Sequence, residues 1–108
     1  MLADNRKLQI QSLHPMVLEI NERINDDTNW MRLNYALLMK TRSEVPAVRC
    51  CILTLLEHLF EVLSERYLVT LSDTIPFLTE LLEDEDEQVE NIAKRIVNTV
   101  EKLSGESI

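Results

Sequence analysis

VRCCILTLLEHLFEV, residues 48–62, and VENIAKRIVNTVEKL, residues 89–103, place apolar residues in the same pattern 41 positions apart. The spacing forms one stripe along a helix. Leu37 and Leu78 also coincide, in a helix that precedes each stripe. The sequence therefore predicts two successive helical hairpins. Seven stripe positions match without a gap: Val48, Cys51, Ile52, Leu55, Leu56, Leu59 and Val62 in the first copy, and Val89, Ile92, Ala93, Ile96, Val97, Val100 and Leu103 in the second.

The length of this repeat indicates a fold class. A repeat of about 40–47 residues that contains two helices is typical of HEAT and armadillo solenoids. The turns RSEVPAVR at 42–49 and EDEDEQVE at 83–90 agree, since both fit the HEAT turn in which a Val begins the inner helix. We predict an all-α fold, an α-solenoid of HEAT-like helical hairpins. Apolar periodicity indicates five helices, at roughly residues 6–25, 28–41, 46–64, 71–82 and 84–105.

The predicted domain organisation follows the repeat. We expect a single HEAT-like domain over residues 1–108, with a half repeat at 1–26, a repeat at 27–65 and a capping repeat at 66–108. The last helix has polar residues outside its stripe, as the C-terminal cap of an array requires. Solenoid units stack into scaffolds, so this organisation indicates binding rather than catalysis.

The ends of the predicted array differ. The helix at 46–64 carries Leu53, Phe60 and Leu63 on a second face, as an internal solenoid helix does. The N-terminal half repeat predicts a fragment of a longer solenoid, and the alternative is a complete five-helix domain. From the fragment hypothesis we expect the isolated chain to form a homodimer through its first helix, at Ile10, Leu13 and Val17.

The net charge of −8 is unevenly distributed. Residues 1–49 carry seven basic and six acidic side chains, whereas residues 50–108 carry four basic and thirteen acidic ones. Because clustered Lys and Arg bind nucleic-acid phosphates, we expect protein partners and no direct nucleic-acid binding by this segment. The sequence has no run of about 18 apolar residues and no leader pattern, so we expect a soluble, intracellular chain without membrane contact.

The sequence does not indicate a chemical site. Cys50 and Cys51 are adjacent and lack the spacing to His14 or His58 that a zinc site requires, so we interpret both as core thiols. The acidic run at 83–87 lacks the Gly and alternating ligands of a calcium loop and is interpreted as a solvated capping turn. One Gly and two separated His exclude a phosphate loop and a nucleophile–base pair. We expect no enzymatic activity, no catalytic or metal-binding residues and no cofactor.

Four residues are candidate partner contacts. Arg49 follows Val48 where HEAT repeats often place an Arg that hydrogen-bonds acidic groups of an adjacent turn, which is a structural role. Trp30 lies in the first turn of its helix, where it packs on the first helix or projects to a partner, and packing is favoured. Lys40 and Arg42 end the same helix, where cations interact favourably with the helix dipole. They are also a basic pair at a repeat junction, which makes them the first contacts to test.

The chain also resembles a known family over residues 27–108. NWMRLNYALLMKTRSEVPAVR at 29–49 and ERYLVTLSDTIPFLTELLEDEDEQVE at 65–90 are similar to the extreme C-terminus of the HEAT repeat-containing protein 1 family and its fungal counterparts. These are very large helical-repeat proteins of the nucleolar small-subunit processome. The residues that carry the resemblance are Trp30, Leu33, Asn34, Leu37, Lys40, Arg42, Val48, Arg49, Tyr67, Leu68, Pro76, Phe77, Leu78, Glu80, Leu81, Asp84, Val89, Gly105 and Glu106.

The resemblance implies a non-catalytic scaffold in the nucleus and nucleolus. Such proteins join the U3-containing pre-ribosomal particle, support processing toward 18S rRNA and favour transcription of ribosomal DNA. Their partners are proteins of that ribonucleoprotein particle. Two alternatives remain open: a HEAT-type adaptor in an unrelated complex, and a direct RNA-binding helical module that uses Arg32, Lys40, Arg42 and Arg49.

Overall fold

The computed structural model describes residues 14–24 and 26–107. These residues form α1, whose described part covers 14–23, then α2 (Asp27–Lys40), α3 (Pro46–Leu63), a 3₁₀ helix (Ser64–Thr70), α4 (Leu71–Leu81) and α5 (Glu87–Ser104). No strand occurs among the described residues. The all-α prediction is therefore confirmed.

Local sequence signals account for the helix ends. Asp26 caps α2, since its side chain accepts a hydrogen bond from the Asn29 amide at 2.8 Å. Pro46 occupies the start of α3, where its missing N–H costs nothing. Asp86 caps α5, since its side chain accepts hydrogen bonds from the Gln88 and Val89 amides. The left-handed Gly105, with φ of 74°, ends α5 as the sequence predicts.

The two hairpins stack with like helices in contact. α2 packs against α4, and α3 packs against α5, so the first helices of the hairpins form one layer and the second helices form another. The core lies between these layers. Its buried apolar residues are Val17, Trp30, Leu38, Leu53, Leu56, Leu59, Phe60, Leu63, Tyr67, Leu78, Leu81, Val89, Ile92, Ala93, Ile96 and Val100.

The predicted second face of α3 is present. Leu53, Phe60 and Leu63 are all buried, and α3 is therefore enclosed on more than one side. In α5 the buried residues lie on the stripe alone. Arg95 is one of the polar residues outside the stripe of α5, but it does not point outward. Its guanidinium points to α3 and donates to both carboxylate oxygens of the buried Glu57, at 3.0 and 3.4 Å.

We expected all seven stripe positions of α3 to face inward, and this prediction is wrong in the first turns of the helix. Val48 is 39% exposed, although its counterpart Val89 is fully buried, and Cys51 is also exposed. The described part of α1 contacts α3 at His58, in the C-terminal half of α3 and away from Val48 and Cys51. The thiol of Cys51 is therefore not a core thiol, and Cys50 is half-buried.

A 3₁₀ helix between α3 and α4 was not predicted. Ser64 turns the chain with a φ of 51°, which is uncommon for a residue other than glycine. The 3₁₀ helix then packs against α2, α3, α4 and α5. Arg66 on this helix also holds the end of α1, because its guanidinium donates to the Asn21 side chain at 2.8 Å and to the Ile24 carbonyl at 2.7 Å.

The first helix contributes to the core of its own chain. Val17 is fully buried, and Ile20 and Ile24 pack against the same core. The proposed homodimer contact included Val17, and that residue is not available at the surface. Ile10 and Leu13 lie outside the described residues.

Candidate partner-binding surface

Arg49 joins the turns of the two hairpins. Its guanidinium donates to the Ser43 carbonyl at 2.8 Å within its own turn and to Asp84 Oδ1 at 3.0 Å in the next turn. Both charged side chains are largely buried, with 14% and 13% exposed. Asp84 Oδ1 also accepts from the Asp86 amide at 2.9 Å, which places the N-cap of α5. Arg49 thus occupies the predicted structural position.

We expect the change Arg49→Ala to lower the free energy of unfolding by about 1.5–3 kcal/mol, because it leaves the Asp84 carboxylate without its charged donor. Arg49→Lys should recover part of this loss, since one ammonium replaces a planar group with several donors. Urea denaturation measures both effects. The control is Arg23→Ala, which removes an exposed ion pair with Glu19 and should cost at most about 1 kcal/mol. Equal losses for Arg49→Ala and Arg23→Ala would contradict the structural role.

Trp30 is fully buried and packs within the fold. Its ring meets the Tyr67 ring edge-on at a centroid distance of 5.8 Å, and the Arg66 guanidinium lies over the ring, 5.5 Å from its centre. The favoured packing interpretation therefore describes its position. A fully buried ring offers no surface to a partner.

A buried polar network lies beside Trp30. The Tyr67 hydroxyl donates to Asn34 Oδ1 at 2.8 Å, and the side-chain nitrogen of Asn34, Nδ2, donates to the Thr74 hydroxyl at 2.9 Å. Thr74 in turn donates to the Thr70 carbonyl at 2.8 Å. Burial raises the pKa of the Tyr67 hydroxyl well above its usual value, so it remains a donor. The network connects α2, the 3₁₀ helix and α4.

Lys40 and Arg42 lie at the exposed end of α2, and Arg42 contacts an aromatic residue that was not among the candidate partner contacts. The Arg42 guanidinium lies 4.8 Å from the centre of the Phe77 ring on α4 and 3.8 Å from a carboxylate oxygen of Glu80. We call the surface formed by Tyr35, Met39, Lys40, Arg42, Phe77 and Glu80 the α2–α4 patch. The sequence contains a signal for two residues of this patch. Tyr35 and Met39 are large apolar residues four positions apart, and both lie off the inward stripe of α2.

His14 and His58, interpreted as separated in the sequence, are in contact. His14 Nδ1 lies 3.0 Å from His58 Nε2, with the two rings edge-on. His58 is 6% exposed, and its buried Nδ1 has no hydrogen-bond partner. Burial and then the charge of His14 lower the pKa of His58 below its usual 6.5, while Glu61 and Glu57 act in the opposite direction. This contact joins α1 to α3.

The lowered pKa of His58 predicts that the stability of the fold depends on pH. Since the pKa of His58 is lower in the folded chain, the unfolded chain binds more protons as the pH falls from 6.5 toward the folded pKa. The stabilisation is complete above pH 6.5 and is lost as the pH falls through the folded pKa. Urea denaturation across this range should show a falling midpoint, and the fall should be smaller in His58→Gln. An identical pH dependence in both chains would contradict the assignment.

The described residues contain no other arrangement that indicates chemistry. No three His, Cys, Asp or Glu side chains within 14–24 and 26–107 come close enough to hold a metal ion. Among the same residues, no helix has both the length and the apolar content needed to cross a membrane.

Comparison with known proteins identifies relatives over most of the chain. HEAT repeat-containing protein 1 of Danio rerio is 41% identical over 96 residues, which cover 89% of this chain and 4% of that protein. The Homo sapiens protein of the same name is 40% identical over 96 residues, which cover 89% of this chain and 4% of that protein. The U3 small nucleolar RNA-associated protein 10 of Neurospora crassa is 34% identical over 92 residues, or 85% of this chain and 5% of that protein.

No family model matches the chain, and no solved structure matches it significantly. The chain spans about 4% of the length of its zebrafish and human relatives. Across nearly nine-tenths of its length, this chain is homologous to a segment of HEAT repeat-containing protein 1 and of the fungal U3 small nucleolar RNA-associated protein 10.

Proposed function

We propose that this chain is a non-catalytic scaffold segment that binds proteins within a small-subunit pre-ribosomal particle in the nucleolus. The observation that carries the proposal is the homology to a protein named for its association with U3 small nucleolar RNA, over 85% of the chain. In this proposal the segment supports assembly of the small-subunit processome, and through it pre-18S rRNA processing and ribosomal DNA transcription.

The fold supports a scaffold role. Two stacked hairpins present broad helical surfaces, and solenoid repeats generally use such surfaces to bind other proteins. We propose that residues 27–65 and 66–108 act as successive repeats, with the polar outer face of α5 forming the capping end. Lys40 and Arg42 are the proposed partner contacts, because both are exposed at the junction between α2 and α4.

Direct RNA binding is less well supported. Arg49, one of the four cations that this alternative needs, is engaged by Ser43 and Asp84. The remaining three lie in a chain whose net charge is −8. Since phosphate contacts dominate the affinity of RNA-binding proteins, few free cations predict weak binding.

Affinity capture tests the proposal. The tagged chain is incubated with nuclear extract that has been treated with ribonuclease, and the bound proteins are identified by mass spectrometry. We expect proteins of the small-subunit precursor to be enriched, and their recovery to survive the nuclease. Enrichment of transport or phosphatase complexes instead would favour the unrelated-adaptor alternative and overturn the proposal. Recovery that depends entirely on intact RNA would also contradict it.

A further inference from the structure

The α2–α4 patch exposes more apolar surface than a solvated helix face requires. Tyr35 is 52% exposed and Met39 is 43% exposed. They lie four residues apart on α2 and so share one face of the helix. The half-buried Phe77 of α4 extends this surface, because its ring meets the Tyr35 ring edge-on at a centroid distance of 6.4 Å. The result is a continuous aromatic and thioether surface across two helices.

The cations of α2 border this apolar surface. Arg32 and Lys40 are exposed and form no ion pair within the described part of the chain. Arg42 has only a long contact with Glu80, at 3.8 Å, in which both side chains are more than half exposed. Such exposed pairs are weak, so Arg42 is available to a better acceptor. These three positive charges stand out in a chain of net charge −8.

We propose that the α2–α4 patch binds a protein segment in which aromatic or aliphatic anchors alternate with acidic residues. This inference rests on the proposed protein-binding function and specifies the chemistry of one partner. Tyr, Met, Phe and Arg are enriched at the centres of protein–protein interfaces. Incoming carboxylates replace the weak Glu80 contact by pairing with Arg42 in a bidentate arrangement. Lys40 and Arg32 add attraction at the rim, where charge increases the association rate.

The surroundings favour such a segment over RNA. Stacked bases would also fit an aromatic surface with an adjacent Arg. However, Glu80 is exposed on α4 within the patch, where it would repel a phosphate backbone. A protein segment places its carboxylates on the α2 side and its apolar anchors over Phe77, which avoids this repulsion. The charge pattern across the patch therefore selects the protein partner.

Fluorescence anisotropy with synthetic peptides tests the inference on the full chain. Three labelled peptides of equal length are compared: one alternates Glu or Asp with Phe and Leu, one replaces the acids with Lys, and one replaces the apolar residues with Ser. We expect the acidic, apolar peptide to bind at least about tenfold more tightly than either of the others. Equal binding of the Lys peptide, or no binding of the acidic peptide, would overturn the inference.

Variants assign the binding to the patch. The double change Tyr35→Ser with Met39→Ser should weaken the acidic peptide by about tenfold or more, and circular dichroism should show unchanged helicity. Lys40→Glu with Arg42→Glu should reverse the preference toward the Lys peptide. Lys102→Glu on α5, away from the patch, is the control and should have no effect. Competition by an unlabelled single-stranded RNA that abolishes peptide binding would instead assign the patch to nucleic acid.

The same variants separate this inference from the proposed function. If the Tyr35→Ser, Met39→Ser chain still captures pre-ribosomal proteins as well as the unchanged chain does, the patch inference fails while the scaffold function stands. If neither chain captures such proteins but the unchanged chain binds the acidic peptide selectively, the proposed function fails and the patch keeps its specificity.

Discussion

Replacing Leu56 with Ala should lower the free energy of unfolding by about 2–5 kcal/mol. Leu56 is fully buried in α3, which packs against α2 and α5, and its removal leaves a cavity that these helices cannot easily close. Urea denaturation followed by circular dichroism measures the loss. A change of this size is a large share of the stability of a domain of this length.

Two valines at equivalent repeat positions provide a control for this prediction. Val48 and Val89 occupy equivalent positions in the two copies of the stripe, yet Val48 is 39% exposed and Val89 is fully buried. We expect Val48→Ala to change the free energy of unfolding by no more than about 0.5 kcal/mol. Val89→Ala should cost about 1.5–3 kcal/mol. Equal costs at the two positions would contradict the arrangement of α3 and α5 described above.

The second large effect is expected at Tyr67. Tyr67→Phe keeps the ring that meets Trp30 and Phe60 edge-on, but it removes the hydroxyl that donates to Asn34. The side-chain oxygen of Asn34, Oδ1, is then buried without a donor. The expected loss in the free energy of unfolding is about 1–3 kcal/mol. Tyr35→Phe removes an exposed hydroxyl from the same residue type and should stay within about 0.5 kcal/mol.

A double-mutant cycle shows whether the cost comes from the hydrogen bond. In an Asn34→Leu background, Tyr67→Phe leaves no orphaned oxygen on residue 34, so its cost should fall sharply. The coupling energy between the two positions should lie at about 0.5–3 kcal/mol. Strict additivity of the two changes would mean that this hydrogen bond contributes little to holding the 3₁₀ helix on α2.

The sequence predicted the features that depend on local chemistry and on periodicity. The start of α3 at Pro46, the end of α5 at Gly105 and the second buried face of α3 all follow from residue types at fixed spacings. The position of Arg49 was also predictable, because the repeat register places its side chain beside the next acidic turn. The 41-residue register thus gave the hairpins and their order.

The features that the sequence did not predict depend on contacts between distant segments. His14 and His58 are 44 residues apart, and only the packing of α1 on α3 brings them together. The register assigned Val48 and Cys51 to the core, but burial depends on a neighbouring helix that a stripe alone does not provide. Tyr35 and Phe77 lie on different helices, so their contact was not visible in either helix by itself. Most of the candidate patch therefore required the structure.

Binding of RNA by the isolated chain is the most direct test of the claim that this segment contacts protein. Labelled single-stranded and double-stranded RNA are titrated with the chain at a salt concentration of about 0.15 M. The distribution of charge predicts no sub-micromolar binding, and no steep decrease of any residual binding as salt is raised. Sub-micromolar, salt-sensitive binding that is lost on changing Lys40 and Arg42 to Glu would contradict the account and identify an RNA-binding module.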